Sequence, residues 1–319
     1  MKDKTASKGG IYSFLTNRFR LVPSPIRSRA LAVFNWTVWK SRKLNRAALV
    51  LLWQRAELRA KALSLNAVSS IGRFSCSVCG ERVFRFKPVP AELTSELRKH
   101  GYKFSPAEAE TCNADGYSCP HCGASDRDRL YALYLRDYFR EESPALGAKI
   151  VDFAPSASLS SFIRKTIASS AKRFSYRTAD LFAEGVDDHV DLMDMKVYRD
   201  SSIDFFICSH VLEHVVDDRK ALTELHRILK SGGKGILVVP IVLTLEEIDE
   251  DPSITDPAER WRRFGQDDHV RLYSKVGFLS RVREAGFEVC EFTANDFGQE
   301  VFRKHGITPQ SVLYIVEKS

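Results

Sequence analysis

The sequence has no run of about 18 apolar residues, the length that a helix needs to cross a membrane. Its N-terminus also lacks the uninterrupted apolar stretch of a secretory signal, because basic residues interrupt it. It contains no internal repeat and no low-complexity tract. These absences, together with 44% hydrophobic residues among 319, predict a cytoplasmic globular protein with a sizeable core.

Acidic residues are nearly missing from the start of the chain. Residues 1–66 contain 14 lysines and arginines and 2 acidic residues, a net charge of +12, whereas the remainder carries a net charge of −5. Apolar residues at roughly helical spacing in 26–66 predict a basic helical arm over 1–70. The arm fits three roles: peripheral contact with an anionic membrane surface, contact with an acidic glycan or RNA, or packing on the protein's own body.

Cysteine is scarce but clustered. Four of the seven cysteines form two C-x-x-C pairs, Cys76-Ser-Val-Cys79 and Cys119-Pro-His-Cys122, and a glycine follows each pair. Two such knuckles supply four thiolates for a closed, structural zinc site. Without a secretory signal, metal ligation is favoured over disulfides. The sequence therefore predicts a small zinc-ribbon-like module over 71–125, with Zn²⁺ bound by Cys76, Cys79, Cys119 and Cys122.

From residue 148 onward, short apolar runs alternate with helical patterns. The alternating segments are 149–153, 159–167, 174–177, 202–208, 219–229, 235–241, 276–285, 287–292 and 311–316, and helices are predicted before them at 91–100 and 126–142. Alternation of strand and helix predicts an α/β fold with a doubly wound, mostly parallel, Rossmann-like sheet of seven strands over 126–319. The run Gly235–Val239 is apolar throughout, as expected of a strand buried on both faces.

Polar residues stand at the ends of the predicted strands. Asp152, Asp180 and Asp191 lie at or just after the first three strand ends, and Ser209-His210 follows the fourth. Because ligands of such sheets bind at the carboxyl ends of the strands, these residues predict a ligand site at one edge of the sheet.

The stretch 204–215, Asp-Phe-Phe-Ile-Cys-Ser-His-Val-Leu-Glu-His-Val, is the most specific part of the sequence. With the run 221–233, Ala-Leu-Thr-Glu-Leu-His-Arg-Ile-Leu-Lys-Ser-Gly-Gly, it resembles the class I S-adenosylmethionine-dependent methyltransferases, especially the group related to the type 11 methyltransferase domain. The resemblance covers about residues 148–319. It implies methyl transfer from S-adenosylmethionine and a Leu-x-x-Gly-Gly turn before the fifth strand.

The resemblance also implies a role for each strand end. The implied cofactor contacts are Asp152, Ala154 and Pro155 for the methionine part, Asp180 for the ribose, Asp191 and Leu192 for the adenine, and Ser209 with His210 beside the sulfonium. The family's first loop is usually rich in glycine, whereas Ala154–Ala157 contains none. Close approach of the backbone to the cofactor is harder without glycine, so a non-catalytic binding protein on this fold is one alternative.

The motif His210-x-x-Glu213-His214 has three interpretations. It matches the inverted zinc peptidases, which need both histidines on one helix. Some O-methyltransferases of this fold carry E-x-x-E-H here, completed by a later histidine, and bind a divalent cation; His269 is the matching candidate. The third interpretation is a packing pair without metal. The surrounding order of elements disfavours the peptidase.

A hydroxyl acceptor of a methyl group needs a base close to an aligned donor and acceptor. His210 and His269 are the predicted catalytic bases, because imidazole titrates near neutrality. Arg271 and Tyr273, in the same loop as His269, are predicted to hold the substrate. The long connection 243–265 is predicted to act as a lid.

The predicted function is methyl transfer to a hydroxyl of a sugar, a glycolipid or another small metabolite. The alternative is an RNA methyltransferase whose zinc module and basic arm bind phosphates. The negative net charge of the catalytic part argues against RNA.

Overall fold

The computed structural model describes residues 73–140, 147–170 and 174–319. The chain divides into two compact units, Met1–Ser70 and Ile71–Ser319. The predicted basic arm belongs to the first unit and lies outside the described residues. Within the described ranges, no helix is both long and apolar enough to span a lipid bilayer.

The second unit is built from short strands and helices. The strands are β1 (Phe74–Ser75), β2 (Arg82–Val83), β3 (Ala148–Phe153), β4 (Phe174–Asp180), β5 (Asp188–His189), β6 (Ile203–Ser209), β7 (Leu229–Val238), β8 (Asp249–Glu250), β9 (Arg271–Leu272), β10 (Phe287–Phe292) and β11 (Leu313–Lys318). The helices are α1 (Ala91–Lys99), α2 (Asp126–Arg140), α3 (Ala157–Ala168), α4 (Asp218–Ile228), α5 (Pro257–Phe264), α6 (Lys275–Glu284), α7 (Ala294–Phe297) and α8 (Gln299–His305), and a 3₁₀ turn spans Pro106–Glu108.

Seven strands form one sheet in the order β5-β4-β3-β6-β7-β11-β10. The first five are parallel to one another, and β11 is antiparallel to both β7 and β10. The predicted α/β fold with a mostly parallel, seven-stranded sheet is confirmed. The chain order reverses between β3 and β6, and this switch point is where a doubly wound sheet binds its ligand.

The predicted Leu-x-x-Gly-Gly turn at 229–233 lies within β7 and does not precede it. There β7 departs from regular pairing: Ile203 of β6 pairs with Leu229, whereas Phe205 pairs with Lys234. Glycine is required just beyond, because a Cβ atom on Gly235 would lie 2.5 Å from the ring of Phe206. The glycines therefore allow the first part of β7 to pair irregularly and to pack closely against β6.

The cysteine knuckles share the core of the sheet. Cys76 and Cys119 belong to the same buried cluster as the strands β3, β6 and β7. Arg129 of α2 has a fully buried side chain and connects this part of the chain to its C-terminal part. Its guanidinium donates hydrogen bonds to the carbonyls of Gly116, Tyr117, Ala124, His305 and Gly306. The knuckles are thus fixed to the sheet through α2 and α8.

Candidate active site

The carboxyl ends of the central strands lie side by side. Phe153 of β3 pairs with Ala179 of β4 on one side and with Cys208 of β6 on the other. The N–H of Ala154 then donates to the carbonyl of Ala179 at 2.8 Å. This register brings the next residues of each strand, Ala154, Asp180, Ser209 and His210, to one edge of the sheet.

Two residues at this edge have backbones in the left-handed region. The φ angle is +51° at Ala154 and +56° at His210, and neither residue is glycine. This conformation costs a non-glycine residue about 1–2 kcal/mol. The glycine-free loop therefore makes a glycine-like turn with alanine. Such strain persists only where the surrounding structure imposes it, and it is typical of functional sites.

Asp152 lies beneath the loop that follows β3. Its side chain is buried, and its carboxylate accepts a hydrogen bond from the hydroxyl of Tyr176 at 2.6 Å. Burial raises the pKa of Asp152 to about 7, although the bond from Tyr176 acts in the opposite direction. Asp152 therefore supports the loop from below, and its predicted contact with the cofactor stays a prediction.

Replacing Asp152 with asparagine should change how stability depends on pH. The folded state holds this proton more tightly than the unfolded chain does, so wild-type stability should fall as pH rises from 3.8 to about 7 and then level off. Between pH 5 and pH 8 the wild type should lose about 2–3 kcal/mol more than Asp152→Asn, measured by urea unfolding without cofactor. Equal losses in both proteins would show that Asp152 is ionised throughout.

The next two acidic residues shape the turns after β4 and β5. The carboxylate of Asp180 accepts hydrogen bonds from the N–H groups of Phe182 and Ala183, both at 2.8 Å. The carboxylate of Asp191 accepts one from the N–H of Met193 at 2.8 Å, and Leu192 beside it is buried. Both aspartates are half-buried at the predicted cofactor edge, where their roles stay predictions.

A cavity of about 270 Å³ is lined by residues that follow β6 and β7. Its polar wall includes both predicted bases, and it consists of Tyr117, Arg127, His210, Glu213, His214, Gln266 and His269. Its apolar wall comes from the segment between the two knuckles and from the 242–272 region, with Val89, Leu93, Leu97, Tyr102, Phe104, Val242, Phe264 and Leu272. The cavity can therefore hold a molecule with both a polar and an apolar part.

Glu213, His214 and His269 form a cluster in the polar wall. One ligand atom from each lies within 4.8 Å of the others. In the described part of the chain, neither carboxylate oxygen of Glu213 nor Nε2 of His269 has a hydrogen-bond partner. Burial would raise the pKa of Glu213, but the imidazoles around it lower that pKa to about 2. The nearest polar groups are imidazole nitrogens, Nδ1 of His210 at 3.2 Å and Nε2 of His214 at 3.9 Å. A buried carboxylate that faces only imidazoles is costly unless these are protonated or a cation accompanies it.

The two histidines of the cluster are oriented by contacts to their Nδ1 atoms. Nδ1 of His214 lies 3.0 Å from a carboxylate oxygen of Asp268, and Nδ1 of His269 lies 3.2 Å from the carbonyl oxygen of Phe264. Nε2 of His214 lies 3.9 Å from the Glu213 carboxylate. Histidines that bind metals usually donate their other ring N–H to a carboxylate or a carbonyl. The cluster therefore fits a divalent cation.

His210 lies between the cluster and a cation, and its Nδ1 is 3.2 Å from a carboxylate oxygen of Glu213. A guanidinium nitrogen of Arg127 lies 2.8 Å from Nδ1 of His210 and 2.6 Å from Nε2. Burial and the charge of Arg127 lower the pKa of His210 to about 4. This lowered pKa differs from the expected titration near neutrality, because a cation lies against the ring, and the role of His210 as the base stays a prediction. His210 is neutral at physiological pH.

The peptidase interpretation of the H-x-x-E-H motif is also wrong. His210 follows the last residue of a buried strand, and residues 211–217 form turns. The two histidines therefore do not lie on one helix, as that mechanism requires.

Arg271 and Tyr273 do not reach the substrate, so that prediction is wrong. Both side chains are buried. The guanidinium of Arg271 donates to the carbonyls of Leu212 and Val216, and the hydroxyl of Tyr273 donates to Asp218 at 2.5 Å. The pair fixes the loop that carries Glu213 and His214.

Arg127 and Tyr131 are site residues that the sequence analysis missed. Both lie on α2, and the Tyr131 hydroxyl is 2.8 Å from that of Ser209. The run 126–129 reads Asp-Arg-Asp-Arg, and Arg129 points into the core whereas Arg127 contacts His210. Nothing in the sequence separates these two arginines, because their directions depend on how the helix packs.

The four knuckle cysteines lie together. Their sulfur atoms are within 4.8 Å of one another, with 3.8 Å between Cys76 and Cys122 and 3.9 Å between Cys79 and Cys119. Zinc–sulfur bonds of about 2.3 Å in a tetrahedron give sulfur–sulfur distances of about 3.8 Å. The donor set and its spacing fit one structural zinc ion.

One known protein family matches part of the region that forms the seven-stranded sheet. Residues 146–237 match the family described as "Methyltransferase domain". No curated protein matches the chain.

Three of the solved structures that match this chain are examples of its likeness to known folds. An S-adenosylmethionine-dependent methyltransferase from Mesorhizobium loti is 15% identical, with 57% of this chain and 98% of that one covered at a TM-score of 0.36. Phosphoethanolamine N-methyltransferase 2 of Haemonchus contortus is 12% identical, with 60% and 44% covered at 0.36. The [4+2]-cyclase SpnF is 15% identical, with 73% and 98% covered at 0.36. No statement about the acceptor follows from likenesses at this level.

Proposed function

We propose that the chain, whose residues 146–237 match the methyltransferase domain family, transfers the methyl group of S-adenosylmethionine to a hydroxyl of an amphiphilic acceptor, a glycolipid or a small metabolite with an apolar part. The two-sided cavity is the observation that carries this proposal. Its apolar wall suits an acyl chain or a ring, and its histidine and carboxylate wall suits a hydroxyl. A free sugar would leave the apolar wall uncovered.

The polar wall supplies the groups that such a reaction needs. His210 and Ser209 follow β6 at the predicted cofactor edge, so an acceptor in the cavity lies beside the predicted sulfonium position. The neutral ring of His210 is the candidate acceptor of the hydroxyl proton, and Arg127, which contacts both ring nitrogens, has to move off the ring when the acceptor binds.

A divalent transition-metal cation held by Glu213, His214 and His269 is part of the proposal. Two imidazoles and one carboxylate are a ligand set that zinc and manganese accept, with positions left open for a substrate. When bound there, the ion would lower the pKa of the acceptor hydroxyl. His210, the fourth residue that the sequence put in this set, is left out because Arg127 lies against its ring. His269 is then a ligand and not a base.

The structural part of the proposal is one Zn²⁺ bound by Cys76, Cys79, Cys119 and Cys122. The last part of the proposal is that the basic arm binds an anionic membrane surface, where a glycolipid acceptor would reside. The net charge of +12 over residues 1–66 supports this role.

Methyl transfer to extracted cell fractions tests the acceptor class. Zinc-loaded full chain is incubated with radiolabelled S-adenosylmethionine and with either lipid extract in anionic vesicles or the water-soluble fraction. The label should enter the lipid fraction or the apolar metabolites. Raising the salt concentration should slow methyl transfer to acceptors in anionic vesicles but not to water-soluble acceptors. Labelling of free sugars or of RNA would contradict the proposal.

A charge placed in the apolar wall should block the same reaction. Leu97 lies on the cavity side of α1, and its neighbour Arg98 is exposed. Leu97→Asp should raise the KM for an apolar acceptor at least tenfold, because the acceptor would have to desolvate a carboxylate. Arg98→Asp, with the same new residue on the same helix, should behave as wild type. Equal KM values for the two variants would place the acceptor elsewhere.

A further inference from the structure

The loop that follows β3 touches the second cysteine knuckle. The hydroxyl of Ser158 donates a hydrogen bond of 2.6 Å to the carbonyl oxygen of Cys122, one of the four zinc-site cysteines. Ser158 lies in the first turn of α3, directly after the loop Ala154–Ala157. The backbone of a metal-binding turn is thus joined to the start of the helix at the predicted cofactor edge.

A second connection joins the knuckle to the same loop. The hydroxyl of Ser156 donates to the carboxylate of Asp128 at 2.9 Å. The other oxygen of that carboxylate accepts a hydrogen bond from the N–H of Ser125 at 2.9 Å, just beyond the knuckle. Ser156 is also the N-cap of α3, because its hydroxyl accepts a bond from the N–H of Leu159 at 3.1 Å. The position of Ser156 therefore depends on Asp128, which is buried.

Apolar packing between the knuckles and α3 is incomplete at this point. A cavity of about 280 Å³ is lined by both partners, with Val78, Cys79 and Cys122 from the knuckles and Ala157, Ser158 and Phe162 from α3. The hydrogen bonds of Ser156 and Ser158 therefore add directional contacts to the shared apolar core.

We propose that the second knuckle, Cys119–Gly123, is a functional part of the cofactor site. It holds the loop Ala154–Ser158 in the conformation that receives S-adenosylmethionine, so that zinc and cofactor strengthen each other's binding. The inference rests on the proposed zinc and cofactor sites. It also accounts for the strained φ of +51° at Ala154, because a strained turn without glycine needs fixed surroundings. By linkage, the factor by which zinc raises cofactor affinity equals the factor by which cofactor raises zinc affinity.

Calorimetry with S-adenosylhomocysteine tests the positioning role of Ser158. Ser158→Ala should keep its zinc and its fold but bind S-adenosylhomocysteine about fivefold more weakly, the typical effect of one hydrogen bond. Ser161→Ala is the matched control and should bind as wild type does, because Ser161 is exposed and lines the same cavity but, among the described residues, donates no hydrogen bond to the knuckle. Zinc content and circular dichroism are measured for each protein.

Zinc release distinguishes this positioning role from a loss of stability alone. The rate of zinc transfer to the chromogenic chelator 4-(2-pyridylazo)resorcinol is followed with and without saturating S-adenosylhomocysteine. The ligand should slow release severalfold in the wild type and in Ser161→Ala, and less in Ser158→Ala. Unchanged release in the wild type, or unchanged affinity in Ser158→Ala, would overturn the coupling. A zinc-loaded wild type that binds no S-adenosylhomocysteine would instead overturn the proposed cofactor site.

Discussion

Replacing Cys119 with serine should remove the zinc ion and destabilise the whole unit Ile71–Ser319. Structural zinc contributes on the order of 10 kcal/mol in zinc-finger peptides, because the site is not formed in the unfolded chain. Here a loss of about 5 kcal/mol or more, or roughly 10–20 °C in melting temperature, is expected for a domain of this size. Metal analysis and thermal unfolding measure both effects.

The loss should spread beyond the knuckles because of Arg129. This buried side chain bonds to Ala124, next to the second knuckle, and also to His305 and Gly306 near the C-terminus. If the knuckle opens, the guanidinium loses partners in a buried position, which is costly.

Cys290→Ser is the matched control for this experiment. Cys290 is an exposed free cysteine on β10, so the same chemical change occurs away from the predicted site. This variant should retain one zinc per chain and the wild-type melting temperature. If Cys119→Ser matched it in both measurements, the four cysteines would not form a zinc site.

Replacing Glu213 with glutamine should abolish binding of the second cation and most of the methyl transfer. The change keeps the shape of the side chain but removes the charge from the cluster with His214 and His269. Cation-assisted activation of a hydroxyl contributes several kcal/mol, so kcat should fall by about 10²-fold or more. Mn²⁺ is the probe for the binding measurement, because thiolate sites select zinc and leave manganese to nitrogen and oxygen ligands.

Electron paramagnetic resonance should count one bound Mn²⁺ in the wild type and none in Glu213→Gln. Glu110→Gln is the control, because Glu110 is also buried but its carboxylate already accepts bonds from Tyr314 at 2.8 and 2.9 Å. This control should bind Mn²⁺ and transfer methyl groups as the wild type does. A wild type without bound Mn²⁺, or a Glu213→Gln variant with normal turnover, would refute the cation.

The sequence alone determined the sheet, the likeness of residues 146–237 to the methyltransferase domain and the two knuckles. Each depends on local information: alternating apolar runs for β3 to β7, a contiguous motif over 204–215, and C-x-x-C pairs whose two members belong to one turn. Even the glycine-free loop was visible. The conformation of that loop could not be predicted from the sequence, because only the packed structure shows Ala154 in the left-handed conformation.

The tertiary structure decided which side chains meet. Arg271 and His269 are two residues apart, yet Arg271 bonds to the backbone behind the site and His269 turns toward Glu213. Arg127 changes the chemistry of His210 from 83 residues away in the chain. The segment between the knuckles forms the apolar wall of the cavity, a role that its sequence does not reveal. These contacts join residues distant in sequence, and periodicity or spacing reports only on neighbours along the chain.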